Sequence, residues 1–326
     1  MVLVVLGLDA LDPELVDSKS HQHLTLNSHH SIDTINSVEG EPSTHELWPT
    51  IITGLEPQEH GLVLDDGVAW ENPLLRAGSS VADYLLPSGL QTRFGAWLLK
   101  NTEADAFRTP ATYYSENNIT TVFDSCESAA IGIPNYVVDP NSEDREHILR
   151  RNMGDFFKRD PDAKGGHTSA DLTTFYEQCM EMAMIRIARA RRSLRSRQYE
   201  LVFAYTSGLD LIGHVSHSQP ARQQRAYSEI NEFVGELRAD MSEDDELLLV
   251  SDHGLQDGIH TQKAMIAATT GRLIDGSESV IDVREAIEAE LDKQDHTGTR
   301  PDDTRQVDGH VGGDRVRSQL EDLGYM

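Results

Sequence analysis

The sequence predicts a doubly wound α/β domain, with a mostly parallel central sheet, helices on both faces and a cap-like insert. Three observations predict it. Continuous apolar runs occur at Val2–Leu8, Leu201–Tyr205 and Glu246–Val250, as suits parallel strands covered on both faces. Helical patterns alternate with these runs, the signature of a layered α/β sheet. Each run is followed at once by small or polar residues that include Asp or His. In open α/β sheets ligands sit outside the carboxyl ends of the strands.

The elements follow in order. Val2–Leu8 is a Val/Leu strand that ends at Gly7-Leu8-Asp9. Ala170–Arg197 reads as one long helix, with Phe175, Cys179, Met182, Ala183, Ile185 and Ile187 as its apolar part. Gln219–Leu237 is a second helix, with Tyr227, Ile230, Phe233, Val234 and Leu237 at helical spacing, and Ile281–Leu291 a shorter third. Residues 64–161 are irregular and rich in turn chemistry, such as Thr109-Pro110, Ile133-Pro134-Asn135 and Asp139-Pro140. They lie between two groups of candidate site residues, so they are expected to form an insert or cap near the site. Residues 292–313 are acidic and poor in apolar side chains, the composition of a mobile linker. In the tail, 314–326, Leu320, Leu323 and Tyr325 offer a means of docking back. The expected division is therefore one catalytic domain over 1–291, a linker and a tail, without internal repeats.

Composition narrows the function. The 326 residues carry 55 Asp and Glu against 28 Lys and Arg, a formal net charge of −27. That balance disfavours duplex nucleic acid, which is bound by Lys and Arg that displace counterions. It equally disfavours docking on an anionic membrane. Only six of the basic residues are Lys, and an acidic, Lys-poor chain resembles the proteins of salt-loving microbes. Cys126 and Cys179 form no disulfide framework and no zinc ribbon, which is compatible with a reducing compartment. No apolar run approaches the roughly 18 residues of a membrane span. The apolar N-terminus lacks a leading positive charge and a cleavage site, so it reads as a buried strand and the protein as cytoplasmic. Oligomeric state is not legible.

The chemistry gathers at the strand ends. Ser251-Asp252-His253-Gly254 follows the third strand directly, and His260 comes seven residues after His253. Downstream of the second strand lie Asp210 and His214, four residues apart, which share one face if a helix starts there. Asp9 ends the first strand. Each has a plain alternative, since an Asp after a strand often caps a helix. Three Asp and three His at successive strand ends are nonetheless enough oxygen and imidazole ligands for two ions such as Zn, Mn or Fe.

The remaining piece is Ser43-Thr44-His45-Glu46-Leu47-Trp48-Pro49-Thr50-Ile51-Ile52-Thr53-Gly54-Leu55, followed by Pro57 and His60-Gly61. With it the chain resembles the alkaline phosphatase superfamily. The nearest branch is the type I phosphodiesterases and nucleotide pyrophosphatases, including archaeal relatives. The matching pieces are Gly7-Leu8-Asp9, Thr44 with Trp48, Thr53-Gly54, Pro57, His60-Gly61, Asp210 to His214, Ser251 to Gly254, and His260, in the family's order. The resemblance implies an alkaline phosphatase-like fold and two divalent ions, Zn foremost with Mn or Fe accommodated. It assigns one ion to Asp210, His214 and His260. It assigns the other to Asp9, Asp252, His253 and the Thr44 oxygen. It implies that Thr44 attacks a small-molecule phosphate ester, most simply a diester, through a covalent phosphothreonine. A bound divalent cation lowers the pKa of such a hydroxyl. A phosphomonoesterase, a phosphoglycerate-mutase-like phosphotransferase and a non-catalytic metal- or ligand-binding homologue are the alternatives. Neither cysteine has the Cys-x-Pro-x-Arg setting of a sulfatase.

Some residues depart from the pattern or stand outside it. Characterised relatives usually carry an Asn three residues after the nucleophile, where this chain has Leu47. Ser43 adjoins Thr44 and stays open as a nucleophile. Pro49 suits a helical first turn, which predicts a helix starting close to it. His60 is expected to be structural, and His21, His23, His29 and His30 to be exposed loop residues. His167 is expected near the start of the long helix and His217 at the site rim, with His296 and His310 in the linker. Arg186, Arg189, Arg191, Arg192, Arg195 and Arg197 form a solvated, ion-pairing face. Substrate selection is assigned to residues 64–161, where Tyr113, Tyr114, Phe123 and Tyr136 are candidates for stacking on an apolar leaving group.

Overall fold

The computed structural model describes residues 1–37, 40–63, 109–138, 157–160, 162–164 and 166–297. Residues 1–293 form one compact unit; of a second, 294–326, only 294–297 are described. The described strands are β1 (Leu3–Leu8), β2 (Ser28–Asp33), β3 (Ser128–Ile131), β4 (Phe157–Arg159), β5 (His167–Ser169), β6 (Leu201–Thr206), β7 (Glu246–Val250), β8 (Gly254–Gln256), β9 (Ile259–Thr261) and β10 (Lys263–Ala268). The described α-helices are α1 (Gln22–Thr25), α2 (Thr44–Thr53), α3 (Pro57–His60), α4 (Thr112–Glu116), α5 (Leu172–Ser196), α6 (Gly208–Ser216), α7 (Pro220–Ala239) and α8 (Val283–Thr297).

Six strands make the central sheet in the order β2-β10-β7-β1-β6-β3. β3, β6, β1 and β7 are mutually parallel, and β10 alone runs against its neighbours β7 and β2. The fold is thus the expected mostly parallel α/β sheet. Side-chain alternation along β1 feeds two cores. Val4, Leu6 and Leu8 pack on one face with Phe175 and Ile187 of α5 and with Tyr227 and Val234 of α7. Leu3 and Val5 pack on the other with Trp48, Ile51 and Ile52 of α2 and with Val283 and Ile287 of α8. The predicted helices appear with boundaries moved by a few residues. α5 starts where the Asp171 side chain caps the N–H groups of Thr173 and Thr174 at 3.1 and 3.0 Å, and it ends at Arg197 in the left-handed conformation.

Several expectations need correction. Pro49 lies inside α2, which already starts at Thr44. Proline cannot donate to the carbonyl four residues back. That carbonyl, His45 O, instead accepts a 2.8 Å hydrogen bond from Asn135 Nδ2, so tertiary structure supplies the missing donor. Part of the expected insert belongs to the main domain. Residues 109–138 supply the edge strand β3, and Tyr114, Val122 and Phe123 lie in the α2-side core. The aromatic residues proposed for substrate stacking are accordingly packed on one another. Phe123 sits 4.5 Å from Tyr136 and 5.9 Å from Phe203 between ring centroids, and the Tyr114 hydroxyl donates to Asn135 O at 2.7 Å. α8 continues to Thr297, past Leu291, so the first residues of the expected linker, His296 among them, are helical. The rest of that segment, His310, the tail, and residues 64–108 and 139–156 of the insert lie outside the described residues.

The arginine-rich end of α5 behaves as expected where its partners are described. Arg191 pairs with Glu236 and Asp240, Arg195 with Asp240, and Arg197 Nη1 reaches both oxygens of Asp245 at 2.6 and 2.7 Å. These are intramolecular ties between α5 and the α7–β7 connection. No helix of the described residues is long and apolar enough to cross a membrane.

One close approach seats the helix that begins at Thr44. A Cβ on Gly7, in the middle of the sheet, would lie 2.5 Å from the Trp48 ring. The indole fills that space and meets Tyr205 edge-on at 4.9 Å. Gly7→Ala is therefore expected to push Trp48 outward and to cost about 1–3 kcal/mol of stability, the usual range for overpacking. Urea unfolding of the two proteins checks this.

Candidate active site and metal centre

Every candidate ligand is delivered by the carboxyl end of a parallel strand or by the structure just after it. β1 delivers Asp9. β6 runs into α6, whose first turn carries Asp210 and whose last carries His214. β7 delivers Asp252 and His253, and the β8–β9 hairpin returns His260. β6, β1 and β7 are neighbours in register, so their ends converge. α2 then brings its first residue, Thr44, over the same point.

Two groups form. Asp210, His214 and His260 present one ligand atom each, all within 4.8 Å of one another, and Asp9, Asp252 and His253 do the same. In the first, His214 Nε2 and His260 Nε2 are 3.0 Å apart and lie 3.2 and 3.4 Å from Asp210 Oδ1. In the second, His253 Nε2 is 3.5 Å from Asp9 Oδ1 and 3.4 Å from Asp252 Oδ2. Thr44 Oγ1 completes it, at 3.3 Å from Asp9 Oδ1 and 3.1 Å from His253 Nε2. The stacked His253 and His260 rings, 3.9 Å apart, join the two groups. Among the described residues no hydrogen bond of Ser43 reaches these atoms; Ser43 precedes α2 and its carbonyl accepts from Glu46 and Leu47.

The imidazole orientations are set from behind. His214 Nδ1 faces Gly258 O at 3.0 Å, His260 Nδ1 faces Pro42 O at 2.8 Å, and His253 Nδ1 faces Gly254 O at 3.1 Å. A ring nitrogen facing a carbonyl must carry a proton, so all three Nε2 atoms point into the site and offer a lone pair there whenever the ring is neutral. Without an ion, a proton between His260 Nε2 and His214 Nε2 bridges their 3.0 Å separation, and a divalent cation would take its place. Asp210 Oδ1 and Asp252 Oδ2 are buried and face the imidazole nitrogens of the same groups. This donor set, imidazole nitrogens and carboxylate oxygens converging in threes, fits divalent cations.

Electrostatics agree with that fit. Burial, and then the neighbouring Asp252 and Asp210, push Asp9 well above the usual carboxylate range. Burial and Asp210 push Asp252 up to about 6. Burial followed by His260 brings His253 down to about 4. Burial also disfavours charge on His260, but hydrogen bonding and attraction to Asp210 prevail and lift it to about 9. Burial would raise Asp210, and His214 and His260 outweigh it and hold it well below the ordinary value. Without cations, then, carboxyl groups at this site retain protons that ions would displace.

Several residues near the site carry no signal in sequence. The Tyr205 hydroxyl donates to Asp9 Oδ2 at 2.5 Å, yet as the fifth residue of an apolar strand it reads as core. His167 lies on β5, before the long helix, with its ring 5.3 Å from that of His214. His217 caps α6, and its Nδ1 lies 3.2 Å from His214 O. Leu47 is wholly buried in the α2-side core, so position 47 presents no polar group to Thr44. His60 is structural, as expected. The Leu62 N–H donates to its Nδ1 at 3.2 Å, so Nε2 carries the proton and donates to Glu46 O at 3.2 Å. Burial brings its pKa down to about 4. The four N-terminal histidines are not one exposed loop. His21 is buried, with Nδ1 accepting from the Asp17 N–H at 3.1 Å; His23 lies on α1, and His29 and His30 lie on the edge strand β2.

Residues 3–308 match the family of type I phosphodiesterases / nucleotide pyrophosphatases. No curated protein matches the chain. Similar solved structures include the PH0037 protein from Pyrococcus horikoshii, 13% identical, covering 90% of this chain and 97% of that one with a TM-score of 0.45. Murine ectonucleotide pyrophosphatase / phosphodiesterase 5 is 15% identical over 78% of this chain and 57% of its own, TM-score 0.41. The alkaline phosphatase of the Antarctic bacterium TAB5 is 11% identical over 90% and 97%, TM-score 0.37.

The titration pattern makes metal uptake proton-coupled. Below about pH 9 an ion entering the Asp210 group must displace the His260 proton, and below about pH 6 one entering the Asp9 group must also displace that of Asp252. Affinity is expected to fall as pH drops through these values. Calorimetric titration with Zn at pH 7, in buffers of different ionisation enthalpy, should report release of about one proton or more per chain.

Proposed function

We propose that this chain, which belongs to the type I phosphodiesterase / nucleotide pyrophosphatase family, cleaves phosphoric diesters of small molecules with Thr44 as nucleophile. As a member of that family it is a hydrolase of phosphoric esters, and the family is metal-dependent. The observation that carries the finer reading is the position of Thr44 Oγ1, 3.3 Å from Asp9 Oδ1 and 3.1 Å from His253 Nε2, at the first residue of α2.

Asp210, His214 and His260 would hold one divalent ion, and Asp9, Asp252, His253 and Thr44 Oγ1 the other, of Zn, Mn or Fe by donor type. When bound, such ions neutralise phosphoryl oxygens and depress the pKa of a hydroxyl. The chain does the rest by positioning, which phosphoryl transfer needs most. α2 aims Thr44 Oγ1 into the site, and the Asp9 and His253 side chains beside it fix the direction of its lone pairs. The oxygen attacks phosphorus, a new O–P bond forms, and the ester bond to the leaving alcohol breaks. Water then cleaves the phosphothreonine, returning the hydroxyl and releasing a phosphate monoester. Position 47 gives no amide for the phosphoryl oxygens, because Leu47 is in the core. The Thr44 N–H, which opens α2 ahead of the Glu46 and Leu47 N–H groups bonded to Ser43 O, takes up that task, aided by the helix dipole. That neither Cys126 nor Cys179 is in a disulfide supports the cytoplasmic assignment, and the net charge of −27 supports a working environment of high salt.

The test compares bis-p-nitrophenyl phosphate with p-nitrophenyl phosphate in molar KCl with added Zn or Mn. Metal-dependent diester cleavage is expected, with kcat lower by about 10³-fold or more in Thr44→Ala, as for loss of a nucleophile. Activity that survives Thr44→Ala would transfer the role to Ser43 or to water. Preference for the monoester would overturn the diester assignment. Silence on both substrates with ions bound would favour the binding-protein alternative.

A further inference from the structure

We infer that Asp12 is a positioning residue that locks the loop carrying Asp9 to the hairpin carrying His260, and so sets the two ligand groups relative to each other. The inference rests on the metal-dependent reading of the site. Asp12 is 1% exposed and lies three residues beyond Asp9, outside both ligand groups. Its Oδ1 accepts from the Glu14 N–H at 2.9 Å and from Gln256 Nε2 at 3.2 Å, and its Oδ2 accepts from Thr261 Oγ1 at 3.3 Å. Gln256 ends β8 and Thr261 ends β9, so one carboxylate grips both strands of the hairpin.

The Asp12 backbone is held as firmly. Its N–H donates to the Tyr227 hydroxyl at 2.9 Å, and that hydroxyl donates to Ala10 O at 3.2 Å. Ala10 itself has φ +58°, a conformation an alanine keeps only when its surroundings dictate it. The Leu11 carbonyl accepts from Ser251 Oγ at 3.0 Å. The loop after β1 is thus fixed from both sides, and Asp12 passes that rigidity to the hairpin.

The hairpin matters because three ligands depend on it. His260 is the neighbour of Thr261. Gly258 O, at the turn, orients His214 through its Nδ1 at 3.0 Å. Gly254, the first residue of β8, follows His253. A Cβ at Gly254 would lie 2.5 Å from both Asp12 Oδ2 and Thr261 Oγ1 and 2.7 Å from Lys263 O. The glycine after the Asp-His pair is therefore required here because the Asp12 carboxylate and Thr261 occupy the space of its side chain. A carboxylate buried among neutral donors costs stability relative to apolar filling. What it supplies instead is direction, two hydrogen bonds that join the ligand-bearing segments and a third, from Glu14, that holds the carboxylate in its own loop.

The experiment is calorimetric titration of the EDTA-stripped full chain with ZnCl2, with bound ions counted by plasma mass spectrometry. Wild type is expected to take up two ions. Asp12→Ala should bind at least the ion of the Asp210 group about tenfold or more weakly, the usual effect of losing an outer-shell partner. Asp12→Asn should stay within about threefold, since its amide oxygen keeps two bonds and its NH2 can donate to Thr261. A merely structural residue would lower the urea midpoint of the stripped protein without separating Asn from Ala in ion affinity. Should Asp12→Ala fail to fold, Thr261→Val removes the same grip from the other side and is expected to weaken the same ion. Wild-type uptake of two ions with undiminished affinity in the alanine and valine variants would sink the clamp alone. Wild type that takes up no zinc would sink the metal-dependent reading, and the clamp with it.

Discussion

Three carboxylates and three imidazoles are buried together at the carboxyl ends of β6, β1 and β7, with their lone pairs facing one another. Such a cluster is unfavourable by itself, since each carboxylate loses its water and gains like charges. The physical responses available are protonation or cation binding, and the rest of the structure is arranged around that choice. Backbone carbonyls of Pro42, Gly254 and Gly258 lock the three imidazoles in one tautomer. Tyr205 holds the far oxygen of Asp9. These supporting contacts direct all three Nε2 atoms inward, where a proton or a cation can meet them.

The Thr44 hydroxyl is placed by packing rather than by polar contacts alone. α2 reaches its position because Gly7 leaves room for Trp48 and because Trp48 leans on Tyr205, the residue that also holds Asp9. The interruption that Pro49 makes in α2 is used to attach residues 109–138 through Asn135. One helix thus carries Thr44 at its tip, core side chains along its inner face, and the tie to the β3 segment on its first turn. A shift at any of these contacts would be felt at Thr44 Oγ1.

The same tight packing limits what the described aromatic residues can do. Tyr114, Phe123 and Tyr136 fill the core beside β6, so they anchor the β3 segment and do not serve as a platform for a leaving group. Among the described residues, polar groups near the Asp210 ligands include His167, on β5, and His217, at the C-terminal end of α6.

Much of the fold and of the candidate ligand set was legible in the chain. The runs at Val2–Leu8, Leu201–Tyr205 and Glu246–Val250 are apolar throughout because both faces of those strands are buried, and a strand buried on both faces leaves a signal that neighbours cannot alter. Asp9, Asp252 and His253 stand directly behind those runs, and Asp210 and His214 follow the second within a few residues, so their order along the chain marked them as candidates. His260 and Thr44 lie on elements with weak local patterns, and the family resemblance, not periodicity, marked Thr44. Tertiary structure decided the rest. Asp12, Tyr205 and Asn135 act through partners that lie 244, 196 and 90 residues away. A hydrogen bond across such a separation has no trace in local pattern. The start of α2 before Pro49, the burial of His21 and the membership of β3 in the sheet were likewise settled by distant partners. Apolar periodicity records which face of an element is buried; it does not record what lies opposite, and here what lies opposite decides where each polar atom points.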